Sequence, residues 1–312
     1  MISKKTLAII SFALLLVSSC KKEDVPIPCG ENSYQIDESK ISRKVLVIGI
    51  DGFRTDVMNL SNSPFLHALS QDSFTYYTGQ NKVEYYTSSG PNWTSLLAGV
   101  HWEKHLVIDN FFSAYNPLEY PSFFHYIENA KPEIKTVSIS HWIPINYVIV
   151  GDEADYSPIQ AISDQEVAAR ATAIINRTDN VEGDVIFLHF DDLDHFGHAN
   201  GFHDTIPEYV QAVSTMDGYV ASLLNTVEAR RSLGEDWIVF IVSDHGGFGT
   251  SHSGLPDEPS VNQTIFYANH PTAVFKTNYI SSQADLVPSI LAFLGIKHAN
   301  FDCKADGVSI IE

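Results

Sequence analysis

The sequence predicts an α/β fold, a three-layer sandwich with a mostly parallel central sheet and helices on both of its faces. Three continuous apolar runs are typical of strands that are buried on both faces: Lys44–Ile50, Val185–Phe190 and Trp237–Val242. Segments with apolar residues at helical spacing lie between these runs. Because strands alternate with helices, we expect a parallel or mixed sheet between two helical layers.

The remaining elements are predicted from shorter patterns. Apolar residues three and four positions apart indicate a long amphipathic helix over Pro207–Ala229 and a clear helix over Asp164–Asn176. Further helices are predicted at Ser63–Leu69, Pro91–Ala98, Pro121–Ala130 and Asp285–Leu294. Short strands are predicted at Val137–Ser140 and Ala273–Phe275, and the stretch from Gly247 to about Pro271 is predicted to be rich in turns.

Composition places the chain among globular proteins and disfavours a nucleic-acid partner. Of the 312 residues, 44% are apolar and 18% are charged. The apolar fraction is enough to form the core of one large domain or two small ones. The formal net charge of −19 repels nucleic acid and anionic membranes, so binding in a nucleic-acid groove is unlikely. The excess of carboxylates also suits a protein that holds divalent cations.

The N-terminus is read as an export signal with a lipidation motif. A basic start precedes an apolar run from Leu7 to Val17, which is too short to span a bilayer as a stable anchor. The segment Leu16–Cys20 resembles a bacterial lipobox, in which the cysteine becomes the lipidated first residue; an ordinary secretory signal is the alternative. We therefore expect an envelope lipoprotein, in the outer membrane, with a signal peptide over residues 1–20, a tether over 21–43 and a folded domain over 44–312.

Two cysteines, Cys29 and Cys303, remain besides the predicted lipidation site at Cys20. They are too far apart in sequence to indicate a metal-binding pair. In an exported protein they are compatible with one disulfide, because domain termini are often close in space.

Carboxylates follow all three apolar runs. Asp51 ends the first, Asp191 and Asp192 close the second with Asp194 just beyond, and Asp244 ends the third. Ligands of open α/β sheets bind beyond the carboxyl ends of the strands. A histidine lies four residues after Asp194 and another lies directly after Asp244: His198 and His245. A single Asp–His pair is usually structural, but this set predicts a site for Zn²⁺ or a related divalent ion.

The order of the motifs resembles that of a known family. Gly49-Ile50-Asp51-Gly52, Ser89-Gly90-Pro91-Asn92, Asp194-x-x-Gly197-His198 and Ser243-Asp244-His245-Gly246 follow one another as in type I phosphodiesterases and nucleotide pyrophosphatases. These enzymes belong to the alkaline phosphatase superfamily. The resemblance runs from about Lys44 to the C-terminus and implies an alkaline phosphatase-like sandwich that hydrolyses a small phosphate ester.

The resemblance implies that Ser89 is the nucleophile, with Ser88 and Thr87 as the alternatives. Pro91 suits the first residue of a helix, which places Ser89 near the positive end of that helix, where an alkoxide or phosphate is favoured. Asn110 occupies the place of the family asparagine that hydrogen-bonds a phosphoryl oxygen, together with a backbone N–H near Ser89. In the pyrophosphatases of the family the nucleophile is usually threonine, so a serine at this position leaves the substrate preference undetermined.

The resemblance also implies two divalent ions, with Zn²⁺ favoured and Mn²⁺ as the alternative. One ion would be held with Ser89 by Asp51, Asp244 and His245, and the other by Asp194, His198 and a further histidine. His252 matches best, His270 is the next candidate and His298 a distant third.

Several functions remain open on sequence grounds. A phosphodiesterase is favoured, since no arginine lies near Ser89 in sequence and a monoesterase usually adds a cation; Arg54 could still reach the site through folding. A monoesterase, a phosphoethanolamine-type transferase and a non-catalytic surface-binding lipoprotein are the alternatives. A sulfatase is disfavoured because Trp93 stands where its arginine would be. Several aromatic residues are available to stack on a base, cover a lipid or pack in the core: Phe111, Phe112, Tyr115, Trp142 and Tyr147.

Overall fold

The structure is a computed structural model that describes residues 33–40 and 42–312. Its main sheet has six strands in the order β3-β7-β6-β2-β5-β4, and a small second sheet pairs β1 with β8. The strands are β1 (Tyr34–Ile36), β2 (Lys44–Ile50), β3 (Thr75–Lys82), β4 (Thr136–Ser140), β5 (Val185–Phe190), β6 (Trp237–Ser243), β7 (Gln263–Asn269) and β8 (Ile296–His298).

The three apolar runs of the sequence form the centre of the main sheet. β2 pairs in parallel with β5 on one side and with β6 on the other, and β4 extends the parallel part beyond β5. β7 is antiparallel to β6, and β3 is antiparallel to β7, so the sheet is mixed at that edge. Ile50 lies opposite both Phe190 and Ser243. The residues that follow these three strands therefore meet at one edge of the sheet.

Helices cover both faces of the sheet, as the sequence predicts. They are α1 (Pro64–Leu69), α2 (Ser89–Ala98), α3 (Trp102–His105), α4 (Phe123–Ala130), α5 (Asp164–Ile175), α6 (Asp192–Asn200), α7 (Pro207–Arg231), α8 (Pro259–Asn262), α9 (Leu286–Leu294) and α10 (Ala299–Lys304). Alternate residues of β2 belong to opposite cores: Leu46 and Ile48 pack with α5 and α7, and Val45 and Val47 pack with α2, α4 and α9. A strand must be apolar on both faces to fill two cores, which explains its uninterrupted apolar run.

The sequence patterns miss the short elements β1, β8, α3, α8 and α10 and three longer ones, β3, β7 and α6. β7 is fully buried over most of its length but lies within the stretch predicted to be turn-rich, because its apolar run is only a few residues long between polar ends. β3 is a polar edge strand whose pairing with β7 shifts register between Thr78 and Asn81. α6 mixes polar and apolar residues, so it shows no apolar stripe at helical spacing from which a helix could be predicted. The strand predicted at Ala273–Phe275 is wrong: Phe275 makes only an isolated bridge to Ile311.

The predicted tether over residues 21–43 is folded in part. Tyr34–Ile36 pairs antiparallel with Ile296–His298, so the folded structure includes residues before Lys44. Cys20 and Cys29 lie outside the described residues, and Cys303 is disulfide-bonded. Among the described residues, no helix combines the length and apolar character needed to cross a membrane.

Candidate active site

One group of ligand-type side chains sits directly on the carboxyl ends of β2 and β6. The Asp51 Oδ1 and Asp244 Oδ2 atoms lie 3.5 Å and 3.1 Å from His245 Nε2. All three side chains are buried. The parallel register of the two strands accounts for the grouping, since Ile50 and Ser243 are direct neighbours. The structure thus brings together the first set of predicted metal ligands.

A second group lies beside the first and is carried by α6 and a loop. Asp194 and His198 are one turn apart on α6, with Asp194 Oδ2 at 3.3 Å from His198 Nε2. His252 approaches from the loop after β6, its Nε2 atom 3.7 Å from Asp194 Oδ1 and 3.0 Å from His198 Nε2. The His245 and His252 rings stack with centroids 3.6 Å apart, so the two groups adjoin.

The other two candidates for the sixth ligand lie elsewhere. His270 Nε2 is 2.6 Å from Asp236 Oδ1, at the opposite end of β6. His298 belongs to β8 and packs against the rings of Tyr34 and Tyr126. His252 is therefore the candidate that the fold brings to Asp194 and His198.

The three histidines share one orientation. His198 Nδ1 is 2.9 Å from the Thr250 carbonyl, His245 Nδ1 is 2.8 Å from the Gly246 carbonyl, and His252 Nδ1 is 2.8 Å from the Thr87 carbonyl. A carbonyl oxygen only accepts, so each Nδ1–H donates and each Nε2 of a neutral ring presents a lone pair. Backbone carbonyls commonly orient metal-binding histidines in this way.

Unpaired carboxylate oxygens complete the case for cations. One oxygen of each acid is buried without a hydrogen-bond partner: Asp51 Oδ1, Asp194 Oδ1 and Asp244 Oδ2. A buried anionic oxygen without a partner is costly unless it is paired or coordinates a metal. Together with the Nε2 atoms of His198 and His252, which lie 3.0 Å apart, these oxygens fit divalent cations.

The electrostatics of the site agree with this fit. Burial, and then the nearby charge of Asp194, raises the pKa of the Asp51 carboxyl well above its usual range. Burial and the charge of Asp51 do the same to the pKa of Asp244. Burial lowers the pKa of His245 well below its usual range, which keeps the ring neutral. The hydrogen bond that His198 donates to the Asp194 carboxylate raises the pKa of His198 to about 9. Three acids thus stand against one readily protonated histidine, and divalent cations would supply the positive charge that the cluster needs.

Ser89 is the first residue of α2 and lies at the first group. Its Oγ atom is 3.2 Å from His245 Nε2, and the side chain is buried. The helix begins two residues earlier than predicted, with Ser88 as its N-cap and Pro91 within the first turn. Proline is tolerated there because the first N–H groups of a helix have no partner inside it. Ser89 therefore lies in the positive first turn itself.

The two alternative nucleophiles are engaged elsewhere. Thr87 Oγ1 is buried and donates to the His252 carbonyl at 2.6 Å, while its own carbonyl accepts from His252 Nδ1. Ser88 Oγ is 3.0 Å from Ser253 Oγ. Thr87, just before α2, therefore holds His252 in place through two hydrogen bonds. Of the three candidate nucleophiles, only Ser89 presents its hydroxyl to a ligand group.

Asn110 lies beside the nucleophile. Its Oδ1 accepts from the Gly90 N–H at 2.7 Å, which fixes the amide orientation because an N–H requires an acceptor. A Cβ on residue 90 would lie 2.5 Å from the Asp109 carbonyl, so glycine is needed for this close approach. The Gly90 N–H is therefore occupied, and the Asn110 NH₂ group is the donor that this pair can offer to a phosphoryl oxygen.

Two residues at the site have no sequence signal. Trp93 Nε1 donates to Asp51 Oδ2 at 2.9 Å, and His189 Nε2 lies 3.2 Å from the same oxygen. Together they hold one oxygen of Asp51 and leave the other directed at His245. His189 looks like a core histidine in sequence, and Trp93 lies far along the chain from Asp51. Their role depends on how the fold places them.

Comparison with known proteins decides the family. The profile of the type I phosphodiesterase/nucleotide pyrophosphatase family matches residues 45–257, which contain both ligand groups and Ser89. The chain belongs to this family. Among curated proteins it is similar to the catalytic subunit of GPI ethanolamine phosphate transferase 3, with 31% identity over 123 residues for the human protein and 30% over 118 for the mouse protein. The match covers 38% and 36% of this chain but only 10% of either relative's length.

Solved structures show the same fold. An inactive variant of murine ectonucleotide pyrophosphatase/phosphodiesterase 5, in complex with AMP, aligns with a TM-score of 0.62 at 16% identity, covering 82% of this chain and 96% of that one. The C-terminal periplasmic domain of EptC from Escherichia coli, in complex with Zn, aligns with 0.62 at 16%, covering 91% and 90%. A 2-O GAG sulfatase aligns with 0.66 at 14%, covering 86% and 73%. The chain therefore shares its fold with these three proteins.

Proposed function

We propose that the chain is a two-metal phosphodiesterase or nucleotide pyrophosphatase that works through a covalent phosphoserine at Ser89. One observation carries the proposal: the hydroxyl of Ser89, in the first turn of α2, lies beside two adjoining groups of ligand-type side chains. Ser89 Oγ is within hydrogen-bonding distance of His245, and three unpaired carboxylate oxygens lie in the same cluster. The relative of known structure that was solved with Zn supports zinc as the metal.

Each side chain has a role in this reaction. Asp51, Asp244 and His245 would hold one ion, and Asp194, His198 and His252 would hold the other. The two ions supply Lewis acidity, favouring the deprotonated hydroxyl and the charge on the leaving oxygen. Ser89 gives up its hydroxyl proton and its Oγ bonds to phosphorus, while the bond from phosphorus to the leaving oxygen breaks and that oxygen takes up a proton to leave as an alcohol. Water then adds to phosphorus and the bond to Ser89 Oγ breaks, so that Ser89 regains a proton and a phosphate monoester is released.

The arginines support a diester as the substrate. All six lie in the described residues, and each forms an ion pair with an acid outside the two ligand groups: Arg43, Arg54, Arg170, Arg177, Arg230 and Arg231. Arg54, the candidate that could have folded in, bonds to Asp56 and to the Phe202 and Gly247 carbonyls. Lys104 bonds to Asp306 and to the Lys304 carbonyl. Besides the two proposed ions, the group beside Ser89 that could meet the extra charge of a monoester dianion is the neutral Asn110.

We therefore expect a diester preference of at least tenfold in kcat/KM. Tenfold corresponds to about 1.4 kcal/mol of transition-state binding. The measurement compares bis-p-nitrophenyl phosphate and a nucleotide p-nitrophenyl ester with p-nitrophenyl phosphate at equal metal loading. A tenfold preference for the monoester would reject the diesterase and leave the family assignment intact.

A phosphoethanolamine transferase is the second candidate, favoured by the names of the curated relatives. It would share the attack of Ser89 on a diester and differ in the second step, where an acceptor hydroxyl replaces water. The two functions separate in one assay. Product analysis after incubation with phosphatidylethanolamine, with and without an alcohol acceptor, gives free phosphoethanolamine for a hydrolase and an acceptor ester for a transferase.

We also propose that the protein is anchored in the bacterial envelope through Cys20. The proposal is supported by the lipobox-like segment, because acyl chains bound to Cys20 would hold the domain at the membrane. Cys20→Ala should abolish incorporation of a tagged fatty acid into the protein in growing cells, as measured on the immunoprecipitated protein. Cys29→Ala is the matched control and should be labelled like the parent. Fatty-acid labelling of the Cys20 variant at the level of the parent would reject lipid anchoring at Cys20.

A further inference from the structure

The loop between α3 and α4 exposes an unusual amount of apolar surface. Four large apolar side chains of the loop are exposed to solvent: Phe111 at 84%, Leu118 at 95%, Leu106 at 48% and Ile108 at 47%. Single exposed apolar residues need no explanation, but several in one segment indicate an interaction surface. We refer to the segment from Leu106 to Leu118 as the apolar loop.

The conformation of this loop is held in place, although it costs energy. Leu106 and Phe112 have φ angles of 61° and 57°, in the left-handed region that bulky residues rarely adopt. Such conformations persist where the surroundings fix them. His105 Nδ1 accepts from the Val107 N–H at 3.0 Å, and the Phe112 ring packs against Trp142 with centroids 6.0 Å apart. The loop is therefore built to present its side chains to the outside.

The apolar loop connects the nucleophile with the point where the chain enters the fold. Asn110 bonds to Gly90, next to Ser89. At the other end, Glu119 bonds to Lys304 at 2.5 Å, at the last residue of α10. The first residue of α10, Ala299, donates to the carbonyl of Ser33 at 3.3 Å. The six residues of α10 span roughly 9 Å, so Ser33, where the described chain begins, lies about one short helix away from the contact between Lys304 and Glu119.

We propose that the apolar loop docks the domain on a lipid bilayer and thereby presents Ser89 to phosphate esters carried at the membrane surface. The second part rests on the proposed function, and docking itself does not. A bilayer is the occupant that fits best, because the predicted lipid anchor at Cys20 precedes Ser33 by only a short segment of chain, and Ser33 lies on the side of the fold that carries this loop. With a formal net charge of −19, the chain should prefer a zwitterionic surface.

Vesicle flotation tests the docking. The protein is the chain from Lys21 onward, which lacks the predicted lipidated residue and keeps both sheets and every described helix. Vesicles are phosphatidylcholine. Phe111→Ser/Leu118→Ser should lower the partition coefficient at least tenfold, because large apolar side chains drive binding to the interface. The matched pair Leu60→Ser/Leu233→Ser, which removes apolar side chains of 70% and 73% exposure elsewhere, should float like the parent.

Two outcomes would overturn the proposal: a parent chain that stays in the aqueous fraction, or two double variants that float equally. Both outcomes concern binding alone. Hydrolysis of soluble p-nitrophenyl esters by the parent chain is measured separately, so a failure of the proposed function is distinguishable from a failure of docking.

Discussion

Ser89→Ala should lower diester turnover on the order of 10⁴-fold or more and leave metal content unchanged. The magnitude follows from nucleophile removal in other covalent enzymes, where binding and electrostatics retain only a small residual rate. Metal content should persist because the six other ligand-type side chains are still in place. The measurements are kcat/KM for bis-p-nitrophenyl phosphate and metal analysis of the same sample.

Two variants sharpen the assignment of the nucleophile. Ser88→Ala removes a neighbouring hydroxyl whose side-chain partner among the described residues is Ser253, so it should keep most of the activity. Ser89→Thr should keep partial activity, since threonine fills this role in relatives. A phosphate trapped on Ser88 or Thr87 by mass spectrometry, or an active Ser89→Ala protein, would refute the phosphoserine at Ser89.

The sequence predicts the centre of the fold well because strands buried on both faces have little freedom in composition. β2, β5 and β6 must supply apolar residues to two cores, and this requirement produces the runs that identify them. Their parallel order then brings Asp51 and Asp244 together without any further information. The edge strands β3 and β7 carry weaker patterns, because β3 is half exposed and the pairing of β7 depends on its partners.

The second ligand group depends more on the tertiary structure. Four-residue spacing identifies Asp194 and His198 as neighbours once α6 is known to be a helix. His252 lies in a loop, and it reaches them because Thr87 bonds to its backbone and ring. Trp93 and His189 cannot be linked to Asp51 from sequence, since only the register of β2 with β5 and the packing of α2 bring them to one carboxylate oxygen.

The second large effect concerns the metals. Exhaustive chelation should abolish hydrolysis, and added Zn²⁺ should restore it. Asp244→Asn and His198→Gln should each reduce the metal content from about two ions to about one per chain, because they remove ligands from different groups. Trp93→Phe should weaken binding at the first group about 10- to 100-fold, as loss of a residue that orients a ligand does elsewhere. Asp236→Asn is the matched control, because Asp236 lies at the opposite end of the same strand and pairs with Arg43 and His270.

Stability gives a readout of the metals that does not depend on activity. Without cations, the buried carboxylates of Asp51, Asp194 and Asp244 repel one another, and this repulsion lowers the free energy of unfolding. Asp244→Asn should therefore raise the Tm of the metal-free protein while it lowers the gain on adding Zn²⁺. For the parent chain, Zn²⁺ at about 100 times its Kd should add about 2.7 kcal/mol per site, an increase of several degrees in Tm. Equal Tm values with and without Zn²⁺, in a protein that hydrolyses diesters after chelation, would reject the two-metal site.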